Sequence, residues 1–167
     1  MVWTMNNTEV QILVDQCETE LQHVKGIIVG LGITSAIVPY LTKYALIKAC
    51  GTIEVSFKSI IADFCSKRSK KQIKRFLTRR VRENSANPSY SNICALIKDF
   101  DEDWHSLFKT LIDANPRKST LLDHLESLVD GRNEFSHGGN PTISINNIID
   151  YFADAKIVIG ILDSVVN

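Results

Sequence analysis

Apolar residues recur along this chain at intervals of three and four, the spacing of an amphipathic helix, and no convincing two-residue alternation predicts a strand. Turn-forming residues cluster at Asn84–Pro88. The pattern therefore predicts an all-α fold. We expect helices from about Thr8 to Lys25, from Ser35 or Pro39 to Phe64, within 66–82, at about 90–98 and 102–113, from Asn115-Pro116 to the Gly138-Gly139 pair, and through a last helix that includes Ile148 to Val166.

The last predicted helix has the most regular pattern. Its apolar residues are separated by alternating steps of four and three, which gives a seven-residue repeat. Such a repeat suits either the core of a helical bundle or the contact with a partner helix, and the sequence leaves both open. The residues of the repeat are Ile148, Phe152, Ala155, Ile159, Leu162 and Val166.

Composition agrees with one compact domain. A chain of 167 residues, 44% of them hydrophobic, can bury a single core, so we predict one domain spanning 1–167. Its longest uncharged stretch, Gly26–Thr42, is shorter than the roughly 20 apolar residues of a membrane span, and we interpret it as a buried connection between helices. The four cysteines lack Cys-x-x-Cys spacing and no signal peptide is evident, so we expect free thiols in a cytoplasmic protein.

The formal net charge is zero, but the charges are unevenly distributed. Nine of the 19 basic residues fall between Ser66 and Arg82, a stretch without acids that we call the basic segment, and the rest of the chain holds 10 bases against 19 acids. Phosphate contacts supply most sequence-independent affinity for nucleic acid, so the segment is a candidate RNA-binding surface, with a solvated helix face as the alternative. The residues predicted to bind RNA are Lys70, Lys71, Lys74, Arg75 and Arg79, and the predicted apolar face is Ile73, Phe76, Leu77 and Val81.

The helix that begins at Asn115-Pro116 ends in Arg132-Asn133-Glu134-Phe135-Ser136-His137, followed by two glycines. Arg132 continues the apolar stripe of this helix, and the glycines end it, so we expect His137 in or just past the last turn. At about 100° per residue the two side chains are roughly 140° apart, so they converge only if the helix end unwinds or a second chain contributes. Simple capping of the helix C-terminus by Arg132 and His137 is the alternative interpretation.

The sequence Arg132-Asn133-x-Phe135-Ser136-His137-Gly138 resembles the motif of the HEPN superfamily, helical domains that carry an Arg and a His a few residues apart with a polar residue after the Arg. The resemblance implies a HEPN-like helical bundle with a four-helix core and short additional helices. Phe135-Ser136 departs from the small aliphatic pair that is frequent there. Further segments are similar to the RiboL-PSP branch of the superfamily, namely 44–54, 100–104, 125–131 and 151–155.

This resemblance implies a metal-independent endoribonuclease that cleaves RNA by attack of the 2′-OH on the adjacent phosphorus, leaving 2′,3′-cyclic phosphate and 5′-OH ends. His137 would transfer protons and Arg132 would stabilise the phosphorane through paired donors, without any cofactor. Asn133 would hold the imidazole or a phosphate oxygen. Glu54 and Lys58, four residues apart, are possible supporting residues, with an ordinary i,i+4 ion pair as the alternative.

The resemblance also implies a homodimer whose two motifs face a shared cleft, in a toxin-antitoxin or antiphage defence setting with a restraining partner protein. Two other functions stay open. One is a non-catalytic HEPN module that binds nucleotide, RNA or a partner protein, and the other is a structural subunit of a larger assembly. His23, His105 and His124 have no partner at metal-ligand spacing, so we predict no metal site and expect His105 and His124 on solvated helix faces.

Overall fold

In the computed structural model, residues 4–167 are described, and within this range the chain forms α-helices and turns without any strand. The prediction of an all-α fold is confirmed. The first three residues of the predicted domain lie outside the described range. The helices are α1 (Thr8–Leu31), α2 (Val38–Ser66), α3 (Lys71–Leu77), which continues into a π-helical turn (Thr78–Arg82), α4 (Tyr90–Phe100), α5 (Glu102–Asp113), α6 (Lys118–Ser136) and α7 (Ile145–Val166).

Polar side chains just before several helices satisfy amide groups that have no partner within the helix. The Asn7 side chain accepts a hydrogen bond from the Val10 amide at the start of α1. Asp101 accepts from the amides of the first turn of α5, and Ser144 forms a capping box with Asn147 at the start of α7. These local sequence features fix where the helices begin.

Four long helices form the core of the fold. Helices α2 and α7 contact each other, and each also contacts both α1 and α6. All six residues of the seven-residue repeat in α7 are buried, each no more than 2% exposed, so this repeat serves the bundle and is not available to a partner helix. The short helices α4 and α5 contact each other, and they cover α6 and α7 respectively.

The expectation of a buried connection at Gly26–Thr42 is wrong. Helix α1 continues past Gly26 to Leu31, and the turn that follows lies at the surface, with Ile33 84% exposed. The helix tolerates its glycines because Ile28 still packs into the core, and the turn is exposed because it lies at an end of the bundle. Within residues 4–167 no helix is both long and apolar enough to cross a membrane.

The predicted apolar face of the basic segment is only partly correct. Leu77 and Val81 are buried and form a small cluster with Ala62 of α2. Ile73 and Phe76, in contrast, are 49% and 58% exposed. Neither residue belongs to the cluster that Leu77 and Val81 form on α2. Helix α3 therefore rests on the bundle through few contacts and presents most of its surface to solvent.

The four cysteines are free thiols, as expected. Cys17 and Cys50 are buried, and Cys65 and Cys94 are partly buried. Burial raises the pKa of each of these thiols above its ordinary value. Protonated, buried thiols of this kind are unreactive, so none of them indicates redox chemistry.

Candidate functional site

Helix α6 ends in a Schellman motif that places His137 at the helix C-cap. The amide of Gly138 donates to the carbonyl of Phe135 at 3.0 Å, and the amide of Gly139 donates to the carbonyl of Glu134 at 2.8 Å. Gly138 has φ +84°, which favours glycine, and a Cβ at residue 139 would lie 2.6 Å from Glu134 Cγ. Both glycines are therefore required. The expected position of His137, just past the last turn, is confirmed.

Arg132 is half-buried between α6 and α2. Its Nη1 donates to Asn133 Oδ1 at 3.3 Å, so the amide of Asn133 contacts the guanidinium group in this structure. On the α2 side, burial raises the pKa of the Cys50 thiol to about 11, while the charge of Arg132 lowers it and the charge of Glu54 raises it. The Arg132 guanidinium therefore lies near Cys50 of α2.

His137 is exposed, and its imidazole makes no hydrogen bond or ion pair with any residue that the structure describes. Helix α6 remains regular through Ser136, so the helix end does not unwind. One of the two routes by which Arg132 and His137 could converge is therefore not used. Within a single chain, the guanidinium is partly buried, whereas the imidazole is exposed and can meet a substrate or a second chain.

Two contacts position the end of α6 on α2. Gly131 is buried, and a Cβ there would lie 3.2 Å from Cδ2 of Leu46, so the missing side chain permits close approach of the helices. The ring of Phe135 lies under Lys43, whose Nζ is 5.2 Å from the ring centroid. The departure from an aliphatic residue at 135 thus has a structural role. Helix α6 is thus in contact with α2 at Gly131, just before Arg132 in the sequence, and at Phe135, three residues after it.

Glu54 and Lys58 form the expected i,i+4 ion pair on α2, and both also hold a loop. Glu54 Oε1 accepts from Lys58 Nζ at 2.5 Å and from the Ala86 amide at 2.9 Å. Lys58 Nζ also donates to the Asn84 carbonyl, and its side chain is only 5% exposed. The pair therefore anchors the 83–89 loop to α2, and neither residue forms a hydrogen bond or ion pair with Arg132 or His137.

Helix α2 contacts both the basic segment and the surroundings of Arg132. Its residues at steps of four contact, in order, Gly131, the surroundings of Arg132, the loop at Ala86 and Asn84, and the buried part of the basic segment. From Cys50 to Ala62 the helix rises about 18 Å, at about 1.5 Å per residue, and turns by about 120°. The predicted RNA-binding segment and the predicted catalytic motif thus adjoin the same helix at different levels. The α2 residues of this series are Leu46, Cys50, Glu54, Lys58 and Ala62.

The predicted RNA-binding side chains of the basic segment are all exposed, and none forms an ion pair with a described residue. Arg82 behaves differently, because it bonds to Asp63 and to Ser59 Oγ of α2 and so anchors the π-helical turn. An open cleft of ≈ 550 Å³ lies on the outer side of the segment. Three of the residues that line this cleft were not among those predicted to bind RNA: Gln72, Phe76 and Arg80.

His124 is not a solvated residue as expected. Its Nδ1 lies 2.7 Å from Oδ2 of Asp154, a buried carboxylate that also accepts from Arg117 Nη2 at 2.8 Å. Tyr151 stacks beside the imidazole at 4.3 Å between centroids. These residues join the first half of α6 to α7. His105 is partly exposed, and among the described side chains no group of three or more His, Cys, Asp and Glu could hold a metal ion.

Comparison with protein families assigns the chain to one family. The model of the RiboL-PSP-HEPN family matches residues 14–167, so the chain belongs to this family. The sequence resemblance to the HEPN superfamily is thereby confirmed. No curated protein and no solved structure gives a significant match.

Proposed function

We propose that this protein is a metal-independent endoribonuclease that cleaves RNA by 2′-OH transesterification. Membership of the RiboL-PSP-HEPN family supports an RNA-related role. The observation that carries the proposal is at the end of α6, where a half-buried guanidinium is followed five residues later by an exposed imidazole that has no hydrogen-bond or ion-pair partner among the described residues. If Arg132 and His137 only capped the C-terminus of the helix, neither Gly131 nor the hydrogen bond from Arg132 to Asn133 would be needed.

The proposed reaction uses His137 for proton transfer. An imidazole removes the proton of the ribose 2′-OH, the O2′–P bond forms as the P–O5′ bond breaks, and an imidazolium protonates the departing O5′. In a dimer, the His137 residues of the two chains would supply the base and the acid. The products are a 2′,3′-cyclic phosphate and a 5′-OH end.

Arg132 is proposed to stabilise the charge that develops on the phosphorane. A guanidinium remains protonated in proteins and offers paired donors that match two phosphate oxygens. Asn133 keeps the guanidinium oriented through its Oδ1, and its amide nitrogen remains available for a phosphate oxygen. Lysine at position 132 would retain the charge but lose the paired donors.

We further propose that the active form is a homodimer built on α2. The repeat in α7 is buried, so it cannot supply the contact. Helix α2 instead carries an exposed stripe with steps of four and three, and a Cβ at its glycine would meet open space. Phe135 adjoins this stripe in a groove of ≈ 260 Å³, so a second chain there would lie close to the motif. The residues of the stripe are Tyr40, Tyr44, Ile47, Gly51 and Val55.

We also propose that the activity is cytoplasmic, where an unrestrained ribonuclease would damage its own cell. We therefore propose a toxin-antitoxin or antiphage setting with a partner protein that restrains cleavage. Expression of the wild-type chain alone should arrest growth, whereas the His137→Ala chain should not. Equal growth with both chains would contradict a toxic ribonuclease.

The test of catalysis is incubation of the purified protein with RNA in EDTA, followed by analysis of the new ends. Cleavage should yield 2′,3′-cyclic phosphate and 5′-OH ends, and Arg132→Ala and His137→Ala should each reduce kcat by about 100-fold or more. His105→Ala is the matched control, because that partly exposed histidine lies outside the motif. Full activity of His137→Ala would refute the mechanism, and RNA binding without cleavage by the wild type would favour the non-catalytic module.

The test of assembly is sedimentation at micromolar concentration. Ile47→Glu should convert the proposed dimer to a monomer and reduce cleavage in parallel, because it places a charge on the α2 stripe. Leu107→Glu on α5 is the control, since Leu107 is also exposed but belongs to a helix that packs on α4 and α7. A fully active wild-type monomer would exclude the shared cleft while leaving the roles of Arg132 and His137 intact.

A further inference from the structure

The outer face of α3 and the π-helical turn carries an exposed aromatic ring among cations. Phe76 is 58% exposed, and no aromatic ring or cation of the described chain stacks on it. It lines the ≈ 550 Å³ cleft together with Gln72, Arg75, Arg79 and Arg80. Leu77, the next residue, is buried, so the orientation of the helix leaves Phe76 on the solvent side. An aromatic residue in this position has no evident role in the core.

The cations of the cleft are also unused by the fold. Arg75, Arg79 and Arg80 form no ion pair with the described residues, whereas Arg82 is bonded to Asp63. The backbone there is π-helical, with the Glu83 amide donating to the Thr78 carbonyl at 2.9 Å. Single π-helical turns are rare and occur frequently at functional sites. The fold thus fixes one arginine of the turn and leaves its neighbours free for a ligand.

We propose that this cleft is a subsite for an unpaired nucleotide of the RNA substrate, separate from the cleavage motif. The base stacks on Phe76, and the flanking phosphates pair with the guanidinium groups of Arg75, Arg79 and Arg80. The subsite rests on the proposed ribonuclease function. It specifies single-stranded RNA at this position, because the bases of a duplex are stacked on one another and cannot reach an exposed ring.

The combination of groups favours RNA over an acidic protein. A peptide carboxylate would pair with the arginines and leave the ring of Phe76 exposed, whereas a nucleotide uses both the ring and the cations. The segment that carries the subsite packs on α2 at Ala62, about 18 Å along the helix axis from Cys50, on whose thiol the charge of Arg132 acts. Docking and cleavage would therefore act on different nucleotides of one strand.

The experiment measures binding of the full chain to a labelled single-stranded RNA of roughly 12 nucleotides, a length within the range of single-strand sites. Every ribose carries 2′-O-methyl, so the probe cannot be cleaved. Phe76→Leu should weaken binding about tenfold while Phe76→Tyr retains wild-type affinity, because only leucine removes the stacking surface. Ile73→Ala, which changes an exposed apolar residue outside the cleft, is the control and should bind normally.

Salt dependence separates the ring from the cations. Phe76→Leu should leave the slope of log K against log salt unchanged, whereas the triple change of Arg75, Arg79 and Arg80 to Gln should reduce it by about 2, at about 0.7 for each phosphate that is no longer neutralised. A duplex of the same sequence should bind to Phe76→Leu and to the wild type with equal affinity. Unchanged single-strand affinity in Phe76→Leu would overturn the proposal. Binding of a poly-glutamate peptide in place of RNA would also overturn it and assign the cleft to an acidic partner.

Failure of the subsite and failure of the ribonuclease function give different results. The uncleavable probe reports binding of the wild-type chain without cleavage. If that binding depends on Phe76 and the wild type cleaves no RNA, the subsite stands and the catalytic proposal fails. If RNA is cleaved with a His137 requirement and Phe76→Leu binds and cleaves normally, the catalytic proposal stands and the subsite fails.

Discussion

Gly131 packs directly against Leu46, and a Cβ at residue 131 would lie 3.2 Å from the Leu46 Cδ2 atom. Leu46 is completely buried, so it cannot move aside freely. The glycine immediately precedes Arg132. The close approach of α6 to α2 therefore determines the backbone position of Arg132, from which the side chain with its guanidinium group extends. A residue that weakens an isolated helix thus positions the candidate catalytic cation in the folded protein.

Gly131→Ala should destabilise the protein by about 1 kcal/mol, because the cost of overpacking against Leu46 exceeds the gain in helix propensity. Gly26→Ala in α1 is the control, since its Cβ would meet nothing within 4 Å. That control should stabilise by up to about 1 kcal/mol. Urea unfolding measures both changes. Equal stabilisation by the two substitutions would show that the Leu46 side chain moves aside without any loss of stability.

His124→Ala should destabilise the protein by about 2 kcal/mol, because the buried Asp154 carboxylate would lose one of its two charge-assisted partners. His105→Ala should change stability by less than about 0.5 kcal/mol, since its side chain has no partner among the described residues. Thermal or urea unfolding measures the difference. Loss of RNA cleavage in His124→Ala without loss of stability would instead indicate a catalytic role for this pair.

Lys58→Met should destabilise the protein by about 2–3 kcal/mol, because it leaves Glu54 without its cation in a largely buried position. The 83–89 loop should also become more sensitive to proteolysis, since Lys58 holds the Asn84 carbonyl. Lys48→Ala breaks an exposed ion pair with Glu20 and should cost less than about 1 kcal/mol. Unchanged stability and loop protection in Lys58→Met, together with reduced kcat, would assign Lys58 to the reaction.

The stability of the protein should fall as pH rises from about 9 to about 11. Burial raises the pKa of the Cys50 thiol from its ordinary value of 9.0 to about 11, so in this range the folded state keeps a proton that the unfolded chain releases. The stabilisation that Cys50 contributes is fully present below pH 9. Between pH 9 and pH 11 a contribution on the order of 2 kcal/mol to the free energy of unfolding is lost.

Unfolding of the wild type and Cys50→Ala across this pH range measures that contribution. The other buried thiols and Tyr90, whose pKa burial also raises, contribute equally to both proteins. The variant should therefore show a shallower decline. An identical decline in the two proteins would contradict the assignment to Cys50.

The helices were largely predictable because helical periodicity and capping are local properties. The bounds 102–113 of α5 agree with the structure, and the glycine pair correctly placed the end of α6. Local signals also misled at glycines: Gly26 suggested the end of α1, but packing of Ile28 in the core carries the helix on to Leu31. Propensity is a weak preference that burial overrides.

Side-chain environments were less predictable, because they depend on which residues lie opposite. The helical pattern put Phe76 and Leu77 on one apolar face, yet only Leu77 meets a neighbouring helix. His124 has nothing near it in sequence that suggests a partner, and Asp154 reaches it only because α6 and α7 pack together. The exposed ring of Phe76 became a candidate binding feature only through that packing.

The sequence by itself determined the all-α fold, the family and the order of groups at the end of α6, because these depend on residues close together in the chain. The tertiary structure decided which of those groups are buried and which are exposed. Arg132 is partly buried near Cys50 because α6 packs on α2 through Gly131, a contact between residues far apart in sequence, whereas His137 follows the end of α6 and is exposed. Such contacts follow from the shape and burial of whole helices, which no local pattern encodes.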